Sequence, residues 1–228
     1  MISIDTVYQK VLMLANKEQR GYITPQEFNL FADMAQMEIF EQYFYDLDQR
    51  LRVNSNSDEY ANVRDNIQEK ITLFEENSST SGNTINPDAV YRLGTITLIV
   101  DGVYTEVEEV QQKDLAYINQ SPLTKPTLKR PIYVRKGKII TIYPTPTADF
   151  YYNYTKRPKK PSWTYVVVQG KAMYDASNNS LQDFELHASE ESELVYKILK
   201  FAGISIKQVG LAQAAQGMEA AQIQQEKQ

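Results

Sequence analysis

Cysteine is absent from this 228-residue chain, and histidine and tryptophan occur once each, as His187 and Trp163. A disulfide framework, thiolate chemistry and a cysteine-based zinc site are therefore excluded. One histidine cannot build an imidazole cluster, so transition-metal sites are poorly served. His187 lies one turn before a helix-start pattern, where an imidazole acts as a cap or surface group more often than as a general base. Glycine is also scarce. None of the nine falls in GxGxxG spacing or in GxxxxGK followed by Ser or Thr, the loops that cradle phosphates. Calcium-loop, HExxH and GxSxG patterns are missing too. No catalytic residue, cofactor site or metal site is expected, which favours a structural or binding role over an enzyme. The first twenty residues lack the lead and cleavage pattern of a signal peptide. No apolar run approaches the roughly 18 residues of a membrane helix. The expectation is a protein made and kept in a cytoplasm, without membrane contact.

What is present is enough apolar material for a core. Hydrophobic residues make up 42% of the chain and aromatic residues 11%, more than a disordered chain carries. The 16 tyrosines suit either surfaces that become buried against a partner or a Tyr-rich sheet. Among carboxylates, Glu106 and Glu108 would share a face of one strand, and Glu108 adjoins Glu109. Such pairs can serve as an acid pair or a hard-cation site, although charges on an exposed strand edge are the commoner reading.

The expected fold class is α+β: an N-terminal helical bundle, a small central antiparallel β-sheet, a C-terminal helix and an extended helical tail. Ile4, Val7, Tyr8, Val11 and Leu12 recur at helical spacing, predicting a first helix that ends near 16–21. Thr24-Pro25-Gln26-Glu27 predicts a second start, with Thr24 as N-cap, Pro25 at the first helical position and Glu27 closing a capping box. That helix should run to about Leu47. Its apolar set of Phe28, Phe31, Ala35, Ile39, Tyr43 and Phe44 is widened by Met34, Met37 and Phe40, so it wants burial on more than one side. A third helix over 58–76 carries Val63, Ile67, Ile71 and Phe74. Residues 77–87 read as a polar linker.

The β part spans 88–161. Asp101-Gly102 separates strands at 91–100 and 103–110 as a hairpin signal. A short helix fits 111–120. Lys136-Gly137 separates strands at 132–135 and 138–143, and a further strand covers 150–155, giving one antiparallel sheet of four or five strands. Residues 162–188 read as an extended arm. A helix over 189–210 returns to the bundle, with Ser189 as N-cap, a buried face of Leu194, Ile198 and Phe201, and Gly203 as its end. Residues 211–228 hold six glutamines and a thin apolar line, Leu211, Ala215, Met218 and Ala221, so this tail is expected to order on a partner.

Charge is segregated by these segments. Residues 1–87 carry 7 basic and 14 acidic groups, and residues 88–161 carry 12 and 7. Lys129, Arg130, Arg135, Lys136, Lys138, Lys156, Arg157, Lys159 and Lys160 dominate the basic run. It suits phosphates met without sequence preference, an acidic partner surface, or a solvated loop rim.

VYRLGTITL and DGVYTEVEEV, then PIYVRKGKIITIYPTP, FYYNYTKRPKKPSW and DFELHASEESELVYKILKFAGISIKQ, follow an N-terminal helical pair. In this order they resemble the head-to-tail connector (adaptor or tail tubular ring) proteins of short-tailed phages, closest to those of crAss-like and related phages. The resemblance covers nearly the whole chain and implies a virion structural protein, assembled in the host cytoplasm, that forms a ring of about twelve copies. The ring would sit under the portal protein, meet the next tail ring or nozzle protein, and continue the channel for double-stranded DNA. In that setting the bundle forms the ring wall, and the 211–228 tail docks on the portal. The 162–188 excursion, with Trp163, Tyr165 and Tyr174, fits a contact arm to a neighbouring ring. Two other classes stay open: a tail-associated β module that binds a glycan or receptor, and, ranked last, a cell-wall hydrolase using carboxylates.

Overall fold

The computed structural model describes residues 1–17, 23–52, 58–80, 84–85, 90–100, 102–137, 139–145, 149–205, 216–218, 220–221 and 224. In chain order the elements are α1 (Ile4–Lys17), α2 (Pro25–Arg52), α3 (Asp58–Thr72), β1 (Glu75–Thr80), β2 (Thr84–Ile85), β3 (Val90–Val100), β4 (Val103–Glu106) and β5 (Glu108–Glu109). There follow α4 (Leu115–Gln120), β6 (Ile132–Lys136), β7 (Ile139–Tyr143), β8 (Phe150–Lys156), β9 (Tyr165–Val168), β10 (Lys171–Tyr174), a 3-10 turn (Ala188–Glu190) and α5 (Glu191–Ser205). The fold is mixed α+β and divides into two compact units, residues 1–73 with 158–228, and residues 74–157. The second unit is thus inserted into the chain of the first. No helix among the described residues is long and apolar enough to cross a membrane.

In the first unit the capping box forms as its residue types require. The Thr24 backbone N–H donates to Glu27 Oε2 at 3.0 Å, and the Glu27 N–H donates back to Thr24 Oγ1 at 3.3 Å. From this start α2 runs beyond Leu47 to Arg52. Its buried face is Phe28, Ala32, Ala35, Gln36, Ile39, Phe40, Tyr43 and Phe44. Phe31 and Met37 are half-buried and Met34 is exposed, so the stripe is narrower than its apolar composition suggests. This face packs on α5 and α3, while α1 packs on α5. The buried face of α5 is Leu194, Val195, Ile198, Leu199 and Ala202. Phe201 is only half-buried, and the helix continues past Gly203 to Ser205. His187 caps the 3-10 turn that leads into α5: its side chain accepts from the Ser189 N–H at 3.3 Å, so the segment turns two residues before the expected Ser189.

The second unit holds two four-stranded sheets, ordered β1-β8-β3-β4 and β2-β7-β6-β5, in place of the single sheet expected. Every pair is antiparallel except β5 with β6. Residues from both sheets build one core, including Ile85, Ile96, Leu98, Ile140, Ile142 and Phe150. The strand expected over 103–110 breaks at Val107, which is buried in that core. The Val107 N–H still donates to Ile96 of β3, whereas the Glu108 N–H donates to Pro131 beside β6, so the chain changes sheets at this residue. The third helix stops at Thr72 because Glu75 begins β1, and the supposed 77–87 linker contributes β1 and β2. β1 is an edge strand with polar residues on both faces, which is why no period of two announces it. Glu76 ties it to β8, accepting from Lys156 Nζ at 2.8 Å and from the Tyr154 hydroxyl at 3.0 Å.

β3 is interrupted between Leu93 and Ile96. Asn153 of β8 turns its side chain to the gap, and its Oδ1 accepts from the Thr95 N–H. A Cβ on Gly94 would collide with that same amide. Gly94→Ala is accordingly expected to cost about 1–3 kcal/mol, read as a lower urea midpoint. A shift no larger than that of Thr95→Ala would mean that Asn153 swings aside freely.

Candidate functional site

The 162–188 segment is not a free arm. Its first part is anchored in the core of the first unit, and only its middle projects. Trp163 is buried at 2% exposure. Its backbone N–H donates to Asn29 Oδ1 at 2.8 Å, its carbonyl accepts from Asn29 Nδ2 at 3.1 Å, and its indole N–H donates to Asp5 Oδ1 at 2.9 Å. The Tyr8 ring lies 4.2 Å from the indole, and Tyr165 and Tyr174 stack on it at 5.7 and 5.9 Å. Further along, the Phe184 N–H donates to the Ile2 carbonyl, and Phe184 and Leu186 are buried. The buried Gln36 side chain holds two strands of chain on α2, donating to the Lys159 carbonyl at 2.8 Å and accepting from the Glu185 N–H at 3.1 Å.

From this clamp projects the β9–β10 hairpin, within the stretch expected to be an extended arm. Its turn has positive φ at both Gln169 (51°) and Gly170 (78°), as a two-residue primed turn demands. The legible signal was Gln-Gly between Val-Val-Val and Ala-Met-Tyr. Val166, Val167, Val168 and Met173 are exposed, Val167 at 66%. A two-stranded ribbon is marginal alone, and these side chains leave it with apolar surface beyond the part that Trp163 covers.

Continuity in sequence does not make the basic run one patch. Lys129, Arg130, Arg135, Lys136, Lys156 and Arg157 belong to the second unit and Lys159 and Lys160 to the first, while Lys138 lies outside the described residues. Lys156 is committed to Glu76, and Arg130 faces Glu108 at 3.8 Å. Arg135 and Lys136 stand exposed at the β6–β7 turn. Counted by the units themselves, the first carries 14 basic and 20 acidic residues and the second 10 and 9. The basic middle segment is therefore nearly neutral once Glu75 and Glu76 are included. Of the tail residues, Leu211 and Ala215 lie outside the described residues, and Met218 and Ala221 are helical and exposed.

Glu106 and Glu108 do not share a strand face, since they fall on β4 and β5 of different sheets. They line, with Gly94, Thr95, Glu109 and Tyr133, a cleft of about 540 Å³. Among the described residues no group of three or more acidic or histidine side chains is arranged to hold a metal ion. The Tyr133 hydroxyl donates to Glu109 Oε2 at 3.0 Å. Burial first, and then this carboxylate, push the phenol up to about 12 from its ordinary 10.0. Its contribution to stability is complete below pH 10.0 and is lost as pH rises through about 12. Tyr133→Phe is expected to flatten the loss of urea stability across that window. Equal slopes in the two proteins would assign the alkaline loss to another group.

No protein-family model matches this chain, and neither does any curated protein.

Proposed function

We propose that this chain is a non-enzymatic structural subunit that works by assembling with copies of itself. The observation that carries the reading is the β9–β10 hairpin, rooted on Trp163 and presenting Val166, Val167, Val168 and Met173 to solvent. A rigid root with an apolar end suits a contact made between subunits, because ordering costs little on docking. Taken with the resemblance, this favours a connector ring of about twelve copies, joining portal to tail in the virion and continuing the DNA channel. In that ring the N-terminal helices act as a bundle forming the wall, the extended 211–228 tail docks on the portal, and the hairpin is the part of the arm that reaches a neighbour. In this reading Arg135 and Lys136, exposed at the β6–β7 turn, would meet passing DNA through contacts that weaken steeply with salt.

Native mass measurement and negative-stain imaging of the protein, alone and with the portal of the same genome, test the reading. A closed ring of about a dozen copies is expected. A monomer indifferent to the portal at all concentrations would overturn it and favour the ligand-binding β module, for which the cleft beside Tyr133 is the place to screen.

A further inference from the structure

We infer that two copies of this chain join edge to edge through β10, which pairs antiparallel with β10 of the second copy about a two-fold axis at Met173. The inference rests on the self-assembly reading and names one of its contacts. β10 has β9 on one side and no strand on the other. Open edges that carry apolar side chains are templates for pairing with another chain, and here Met173 and Tyr174 are 55% and 37% exposed. The β9 side is less available. At the root of the hairpin the outward N–H and carbonyl of Trp163 are both bonded to Asn29 of α2.

Backbone direction decides which registers can bond. In a two-residue hairpin the residues flanking the turn bond to each other, so Lys171 and Met173 turn their N–H and C=O groups to Val168 and Val166. The same alternation continues at Asp175, whose N–H donates to the Thr164 carbonyl at 3.0 Å. Ala172 and Tyr174 therefore aim theirs away from β9, and only registers that set these outward residues opposite one another make a ladder. Ala172 opposite Tyr174 of the second copy makes a bonded pair on either side of the axis, places Met173 opposite Met173, and sets Lys171 opposite Asp175 on both sides. Residues directly opposite share a face, and within the chain Met173 lies opposite Val166. The joined ribbons thus carry an unbroken apolar row, Val166, Met173, Met173 and Val166, flanked on either side by a Lys171 and Asp175 pair. On the other face Ala172 meets Tyr174, small against large. The other bonding registers lose this match: Ala172 opposite Ala172 puts Lys171 against Met173, and Tyr174 opposite Tyr174 puts Met173 against Asp175. Asp175 is held in place by Ser177, whose N–H and hydroxyl donate to its Oδ1 at 3.0 and 2.7 Å.

The contact is isologous, one surface against its own copy, so it closes on two and does not itself build a ring. In the ring reading it ties two rings face to face, and ring closure belongs to other surfaces. The occupant is a second copy of this chain.

The absence of cysteine makes the test direct. Met173→Cys protein by itself is expected to give a disulfide-linked dimer on mild oxidation, because opposed residues of a non-bonded antiparallel pair have Cα atoms about 4.5 Å apart, within disulfide reach. Val167→Cys, on β9 and more exposed at 66%, should stay unlinked. Lys171→Glu and Asp175→Lys each set like charges opposite one another, and each alone should raise the concentration for half-association about tenfold. The two variants mixed should associate near the parent value, since both ion pairs re-form between unlike chains. Sedimentation velocity reads this, and rescue by mixing excludes misfolding as the cause. Parent protein that assembles, alone or on the portal, while Met173→Cys stays unlinked and the charge variants behave as the parent, overturns this pairing but leaves self-assembly standing. Parent protein that stays monomeric at all concentrations, alone and with the portal, overturns both.

Discussion

Lys197→Met is expected to destabilise the first unit by about 3–5 kcal/mol, seen as loss of the helical far-UV signal at lower urea. Lys197 sits on α5 at 3% exposure, with its ammonium 3.0 Å from Glu38 Oε1 on α2 and 3.5 Å from Glu193 Oε1 one turn earlier on its own helix. Removing the ammonium keeps the neighbouring Glu193 carboxylate in a buried place while its facing charge is gone. Burial by itself would raise the Glu38 carboxyl, but Lys197 and Lys200 overcome it and hold the group below the ordinary 4.5. A depressed carboxyl stabilises the fold above its unfolded value and loses that contribution as pH falls through its folded value. Lys197→Met should therefore also move acid unfolding to higher pH. Lys197→Met with Glu193→Leu should recover most of the loss, because an apolar pair of similar volume often replaces a buried ion pair at little cost. Lys10→Met provides the contrast. Its ammonium lies 2.5 Å from Glu191, but the lysine is 51% exposed, and such pairs contribute about 0–1 kcal/mol. A Lys197→Met loss below about 1 kcal/mol would mean that the ammonium is hydrated despite its position.

Trp163→Ala should cost about 3–5 kcal/mol, as removal of a large buried ring does. The indole is the surface on which Tyr8, Tyr165 and Tyr174 meet, so its loss opens a cavity and frees the root of the hairpin together. Amide exchange is expected to accelerate in β9 and β10 well beyond the change in α1. Trp163→Phe keeps part of the stack and loses the N–H donated to Asp5, a change of about 1 kcal/mol from the hydrogen bond. The chain has a single tryptophan, so circular dichroism rather than fluorescence follows both variants. Unchanged exchange in β9 and β10 after Trp163→Ala would place the hairpin's support in its own turn.

How far residues announce structure differs from site to site. Thr24, Pro25 and Glu27 act within one turn of chain, and the α2 start appears where they set it. Gly102 and Gly137 take positive φ at the two expected hairpin turns for the same local reason. β1 had no such signal: Asn77, Ser78 and Ser79 are polar on both faces and become a strand only because β8 supplies the ladder. Val107 reads as mid-strand until two separate sheets claim the residues on either side of it. Trp163 reads as an arm contact because nothing near it in sequence reveals Asp5, Asn29 and Tyr8, which lie more than a hundred residues away.

The α2 start, the turns at Gly102 and Gly137, the α+β class and the lack of every strong catalytic motif followed from local chemistry, since caps, primed turns and motifs act over a few residues. Which strands share a sheet, where the chain passes between its two units, how the basic residues divide, and the burial of Lys197, Gln36 and Trp163 came only with the tertiary structure. Those features depend on partners brought together from distant parts of the chain. Charge and polarity alone would have left Lys197 and Gln36 in solvent, and it is Glu38, Glu193 and the Lys159 and Glu185 backbones that make their burial tolerable.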